Sequence, residues 1–134
     1  MKRMISALLL AGLIATPVMA QTTPHTLPET RYGNVSYVSG GIGDEERDEI
    51  RRREPDFNLK LLFSERDGSY MAGVDVQLLN AKGETILEAK AAGPFLLARV
   101  PPGNYVVKLS ANGQAQQGKL SVSAKGQRQA VFRW

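Results

Sequence analysis

Histidine, the side chain best suited to carrying protons at neutral pH, occurs once in the 134 residues, as His25, and cysteine does not occur. His25 sits in a threonine- and proline-containing stretch with no second base beside it. The other groupings that could do chemistry are charged or glycine-rich. Asp44, Glu45, Glu46, Asp48 and Glu49 form an acidic run, but it lacks the alternating oxygen-ligand spacing of a calcium loop and reads more simply as a solvated helix face. Gly40-Gly41-Ile42-Gly43 ahead of a helix invites phosphate binding through backbone N–H groups. No Lys-Ser/Thr follows it, however, and Asp44-Glu45-Glu46 would repel an anion, so it is expected to be a turn that folds the helix back. Arg51, Arg52 and Arg53 are the candidate binding residues: a compact basic cluster that could meet lipid headgroups or an acidic partner. Asp48, Glu49, Glu54 and Asp56 lie close enough to neutralise it. No catalytic, cofactor-binding or metal-binding residue is expected, and the chain is not expected to be an enzyme.

These groups need a helix to carry them, and Asp44 to Arg53 is the one candidate. Asp44 is a plausible N-cap, acids occupy the first turn and arginines the last, and Pro55 ends the run. Asp48–Arg52 and Glu49–Arg53 are i,i+4 pairs with the acid on the N-terminal side. Only Ile42 and Ile50 are apolar, so the helix should lie on the surface and bury one narrow stripe.

From Asn58 the period becomes two. Leu59, Leu61 and Phe63 alternate with polar neighbours, as do Val74, Val76 and Leu78; Tyr105, Val107 and Leu109; Leu120, Val122 and Ala124; and Ala130, Phe132 and Trp134. Thr85–Ala89 and Phe95–Val100 alternate less cleanly. Turn chemistry separates the runs, at Asp67-Gly68, Asn80 to Gly83, Gly93-Pro94, Pro101-Pro102-Gly103, Asn112-Gly113 and Lys125-Gly126. Seven short strands with one buried face each predict an antiparallel sandwich.

The first twenty residues read as a signal peptide. Lys2 and Arg3 precede an apolar run from Ile5 to Ile14, and Val18-Met19-Ala20 has the pattern of a cleavage site. The run is shorter than the roughly 20 residues a spanning helix needs, so no membrane span is expected in the mature chain. Cleavage near Ala20 leaves 114 residues, with 15 basic and 13 acidic side chains once Lys2 and Arg3 are gone. That balance gives little reason for a nucleic-acid partner. The expected location is periplasmic or secreted, and the expected partner is another envelope protein or a glycan. The expected organisation is a signal peptide over 1–20, a flexible N-terminal segment over 21–38, a Gly-rich turn and short helix over 39–56, and a β-sandwich over 57–134. The end loops Ser64–Gly73, Gly93–Pro94 and Asn112–Gly118 are its expected recognition surface.

Gly93-Pro94-Phe95-Leu96-Leu97-Ala98-Arg99-Val100-Pro101-Pro102-Gly103-Asn104-Tyr105-Val106-Val107 is similar to the signature of carboxypeptidase-regulatory-like domains. These are small transthyretin-like (prealbumin-like) sandwiches of exported bacterial proteins. Val74 to Leu78 followed by Asn80-Ala81-Lys82-Gly83 resembles their first hairpin, and the likeness runs from about Leu59 to Trp134. Tyr37 to Glu46 also resembles the opening of a proteobacterial periplasmic group that carries this domain and has no established activity. The resemblance implies an all-β, seven-stranded antiparallel transthyretin-like sandwich with one short N-terminal surface helix. Some transthyretin-like proteins are hydrolases of a purine-degradation intermediate, dependent on several histidines and a C-terminal Tyr-Arg-Gly-Ser. Here the lone His25 and the ending Ala130-Val131-Phe132-Arg133-Trp134 depart from that pattern. The function implied is a non-catalytic binding or accessory module. The alternative is an assembly subunit that pairs through an edge strand, with a hydrolase a distant third.

Overall fold

A computed structural model describes residues 27–134 and, apart from them, only Gly12. The expected signal peptide, its cleavage site and His25 lie outside the described residues. In chain order the elements are β1 (Thr30–Tyr32), β2 (Val35–Gly40), α1 (Gly43–Arg53), a 3₁₀ turn (Glu54–Asp56), β3 (Leu59–Ser64), β4 (Asp75–Leu79), β5 (Thr85–Lys90), β6 (Phe95–Arg99), β7 (Gly103–Ala111), β8 (Gln114–Val122) and β9 (Arg128–Arg133). The first sheet has the order β1-β2-β6-β3-β9 and the second β5-β4-β7-β8. The result is a β-sandwich with one short helix, as expected. The strands number nine rather than seven, and one pair is parallel rather than all being antiparallel. Residues 123–127 carry the chain from β8 across to the first sheet at the end where β3 begins. The last strand therefore runs beside β3 in the same direction, with Leu59 opposite Arg128 and Ser64 opposite Arg133.

The two additional strands come from residues 30–40, most of which were expected to be flexible. Instead β1 and β2 form a hairpin around Gly33-Asn34, and β2 sits inside the sheet, paired with β6 from Ser36–Arg99 to Gly40–Phe95. The sheet therefore begins at Thr30, not at residue 57. Val35 packs into the space between the sheets and Val38 packs on the opposite face. A strand buried on both faces does not show a clean period of two, which is why the segment does not announce itself. β6 has the same character, with Phe95 to Ala98 all buried.

The main core fills the space between the sheets. Leu59, Leu61 and Phe63 of β3 meet Val76 and Leu78 of β4, Tyr105, Val107 and Leu109 of β7, and Leu120 and Val122 of β8. Removal of this alternating face from water, at about 25 cal/mol per Å² of apolar area, is the main stabilising term. A smaller core lies on the outer face of the first sheet. There Ile50 of α1 joins Val38, Phe57, Phe95 and Leu97, with Leu27 and Leu62 packed against them. The molecule thus has three layers: helix, first sheet, second sheet.

The helix reaches its place through a tight crossing. A Cβ at Gly93 would lie 2.5 Å from the Gly40 carbonyl oxygen and 2.8 Å from its Cα, and Gly41 has φ 105° with its Hα face against the Phe95 ring. The N-cap is Ile42, not Asp44, and it caps with no side chain. Glu46 Oε1 instead braces the turn ahead of the helix, accepting from the Gly41 N–H at 3.1 Å and the Ile42 N–H at 3.4 Å, while Asp44 pairs with Arg47.

Candidate functional site

The three arginines singled out by the sequence do not form one patch. Successive helical residues diverge by about 100°, so neighbouring side chains face different surroundings. Arg51 is exposed and donates to Asp48 Oδ1 at 3.0 Å. Arg52 is exposed and makes no ion pair among the described residues. Arg53 turns inward: its Nη1 donates to the Leu27 carbonyl at 2.5 Å and lies 3.9 Å from Glu49, and its Nη2 is 3.9 Å from Glu29. Of the two expected i,i+4 pairs, Glu49–Arg53 is present, whereas Asp48 pairs with Arg51 in place of Arg52.

Glu49 shows what Arg53 is for. Its buried carboxylate accepts the Leu27 N–H through both oxygens, at 3.0 and 2.9 Å. Arg53 takes the carbonyl of the same residue, and the Leu27 side chain packs on Gly40 beside the smaller core. Two charged side chains thus clasp one peptide and hold the N-terminal segment to the helix. The glycine turn is likewise structural, because Glu46 already occupies the N–H groups of Gly41 and Ile42 that an anion would need.

The expected recognition loops do meet at one end of the sandwich. Phe63 N–H donates to the Pro94 carbonyl at 2.8 Å, tying Gly93-Pro94 to the start of the Ser64–Gly73 loop. Trp134 N–H donates to the Ser64 carbonyl at 3.0 Å, the Trp134 carbonyl accepts from Arg66 N–H at 2.9 Å, and the indole Nε1 donates to Gln114 O at 3.3 Å. A depression of about 380 Å³ lies between these loops, lined by Glu65, Arg66, Met71, Asn112, Gln114 and Trp134. Beside the same loop, Tyr70 is 53 % exposed, its ring 5.7 Å from that of Phe95 and 5.6 Å from the Arg47 guanidinium. The Asp67 carboxylate accepts the Ser69 N–H at 2.9 Å, and bonding from Ser69 holds its pKa below the ordinary aspartate value.

The third loop is shorter than expected. Asn112 (φ 52°) and Gly113 (φ 74°) make a two-residue turn, and residues 114–118 belong to β8. On their inner side Gln114 is exposed and Gln116 and Gly118 are half-buried, beside the aromatic end of β9. A Cβ on Gly118 would lie 3.1 Å from the Phe132 ring, and Trp134 stacks edge-on to Phe63 at 6.2 Å. Trp134 belongs to the alternating run Ala130, Phe132 and Trp134, whereas Tyr70 and Arg47 are isolated in polar sequence and carry no such signal.

Among the described residues no group of three or more His, Cys, Asp or Glu is placed to hold a metal ion. The loop end offers amides, carboxylates, a guanidinium and two aromatic rings, which are groups that hydrogen-bond and stack. A scan against protein-family models finds no match, and a search of curated proteins finds no similar sequence. Among the described residues no helix is long and apolar enough to cross a membrane.

Proposed function

We propose that this chain is an exported, non-catalytic binding or accessory module of the bacterial periplasm, of the transthyretin-like, carboxypeptidase-regulatory-like kind. It binds an envelope protein or glycan through its loop end. One observation supports this above the others. Loops distant in sequence are fastened together by backbone hydrogen bonds, so Trp134 and the amides of Asn112 and Gln114 are presented from a rigid support, with Tyr70 exposed alongside. Rigid aromatic and amide groups at a sandwich end suit recognition, because little side-chain entropy is lost on contact.

Trp134 is the only tryptophan of the chain and lines the depression, so its emission reports occupancy directly. Titration with envelope-derived oligosaccharides and with peptides from envelope proteins should shift that emission saturably for at least one class. Gln114→Ala together with Tyr70→Ala should weaken the interaction about tenfold or more. A panel in which nothing perturbs Trp134, or binding untouched by the double substitution, would overturn the reading.

A further inference from the structure

The helix covers the outer face of the first sheet, whereas among the described residues no element covers the outer face of the second. Its register sets side chains in rows across four strands. Glu88, Gln77, Lys108 and Gln117 form one row, and Thr85, Leu79, Val106 and Lys119 the next. Charge is divided unevenly over these rows. The two carboxylates, Asp75 and Glu88, belong to β4 and β5, where Asp75 stands opposite Lys90. The β7–β8 half carries Lys108 and Lys119 and no acid. Arg128, at the start of β9, lines the same shallow depression of about 770 Å³ as both lysines. None of the three cations has an ion-pair partner within 4.0 Å among the described residues.

Lys108 is opposite Gln117, so Lys119 is its diagonal neighbour, with backbone positions about 7–8 Å apart. Two ammonium groups carried on such neighbouring positions can each meet a different anion of one extended chain. Around them stand neutral hydrogen-bonding groups, Asn104, Gln117 and Ser121, suited to hydroxyls rather than to further charge. Ile42, Tyr70 and Val131, three of the four exposed large apolar side chains among the described residues, come from other surfaces. The fourth, Tyr32, reaches this sheet only at its acidic margin, 3.5 Å from Glu88. Val106 and Leu79 within the depression are half-buried and Tyr105 lies buried beneath it, so the basic half presents no exposed large apolar side chain to enter a bilayer interface and no exposed ring on which nucleic-acid bases stack.

We infer that the basic half of this open face, centred on Lys108, Lys119 and Arg128, is a docking surface for a carboxylate-bearing polysaccharide lying across β7 and β8. It is separate from the loop end and works with or without a ligand there.

The test measures binding of the whole chain to an oligogalacturonate, a neutral oligosaccharide of equal length, anionic phospholipid vesicles and single-stranded DNA. With the loop end disabled by Gln114→Ala and Tyr70→Ala, the acidic oligosaccharide should bind, the neutral one should not, and binding should fade as salt rises from about 0.05 to about 0.5 M, where the Debye length falls below the spacing of the cations. Lys108→Glu with Lys119→Glu should reduce the affinity about tenfold or more. Arg51→Glu with Arg52→Glu makes the same change in net charge elsewhere and should leave binding within about twofold. Binding in this background separates this surface from the loop end. Equal loss in both charge-reversed variants, equal binding of the neutral oligosaccharide, or tighter binding of vesicles or DNA would each overturn the inference.

Discussion

Ile50 is the decisive residue for the three-layer arrangement. It is 1 % exposed and is the only buried apolar residue of α1, whereas Ile42, just before the helix, is 57 % exposed. Ile50→Ala removes most of a side chain that fills the space between Val38, Phe57, Phe95 and Leu97. An Ile→Ala change at a closed site costs about 2–5 kcal/mol. The upper part of that range is expected, because the sheet beneath is fixed by its ladders and cannot collapse into the gap. A domain of this size has about 5–15 kcal/mol in total, and each kcal/mol moves its melting point by about 4–8 °C. Thermal and urea unfolding of Ile50→Ala should therefore show a loss of about 3.5–5 kcal/mol. Ile42→Ala, eight residues earlier in the chain, should stay within about 0.5 kcal/mol. Hydrogen exchange should localise the loss, with α1 amides opening before those of β3 and β7. If the two alanine variants melt together, or α1 exchanges no faster in Ile50→Ala, the helix is not the third layer described here.

Three other substitutions probe particular contacts. The Asn58 side chain imitates a strand, its Nδ2 donating to Val100 O at 2.6 Å and its Oδ1 accepting Val100 N–H at 2.9 Å. Asn58→Ala leaves both backbone groups unpaired beside the core, and urea titration should show a cost of about 1–3 kcal/mol that Asn58→Asp, which keeps only the acceptor, partly restores. Gly93→Ala drives a methyl into the Gly40 backbone, so it should destabilise more than Gly83→Ala, where only a positive φ of 79° opposes the change and no atom lies within 4 Å. Burial raises the Tyr105 pKa above its ordinary 10.0, and its hydroxyl donates to the Pro101 carbonyl. The neutral phenol is thus favoured by folding. Its contribution is complete below pH 10 and is lost as pH rises through the elevated folded value. Wild type should lose more stability between pH 9 and 12 than Tyr105→Phe does, as read by denaturant midpoints at each pH.

The strands legible in the sequence are those with one wet face. Leu59-Leu61-Phe63 and Tyr105-Val107-Leu109 alternate because water lies on one side of them or a thin layer does, and each is where alternation puts it. Asn112-Gly113 is legible for a different reason: the two-residue turn requires positive φ at both positions, which few residue pairs accept. β2 is not legible because its layer is completed by residues far away, Phe95 and Leu97 from one strand and Ile50 from the helix. The arginine cluster misleads for a related reason. Adjacency in sequence places Arg51 and Arg53 together, but the helix separates them and the Leu27 carbonyl claims one. The loop end was legible as a set of turns, whereas its aromatic member Tyr70 depends on Phe95 and Arg47, neither of which marks it in the sequence.

The layers also bear on the choice between binding by a surface and assembly by an edge. β1 offers three residues, too few to template a partner, and its Tyr32 leans toward β5. β9 begins and ends in arginine, and the Gln116 amide already donates to the Arg133 carbonyl at its far end. β8 is the long edge, nine residues, and from the Ala111–Gln114 turn pair outward it turns the backbone of Ala115, Gln117, Lys119 and Ser121 away from β7. Lys119 stands in the middle of that edge, the charge by which natural sheets discourage pairing. The same lysine is a member of the open basic face, so one residue that weakens strand addition strengthens attraction for an anionic chain. An assembly subunit that paired through β8 would bring the Lys119 residues of two copies close together at a cost that salt relieves. Self-association rising with ionic strength is its signature, and light scattering across a salt series distinguishes it from the surface-binding module, which stays monomeric throughout.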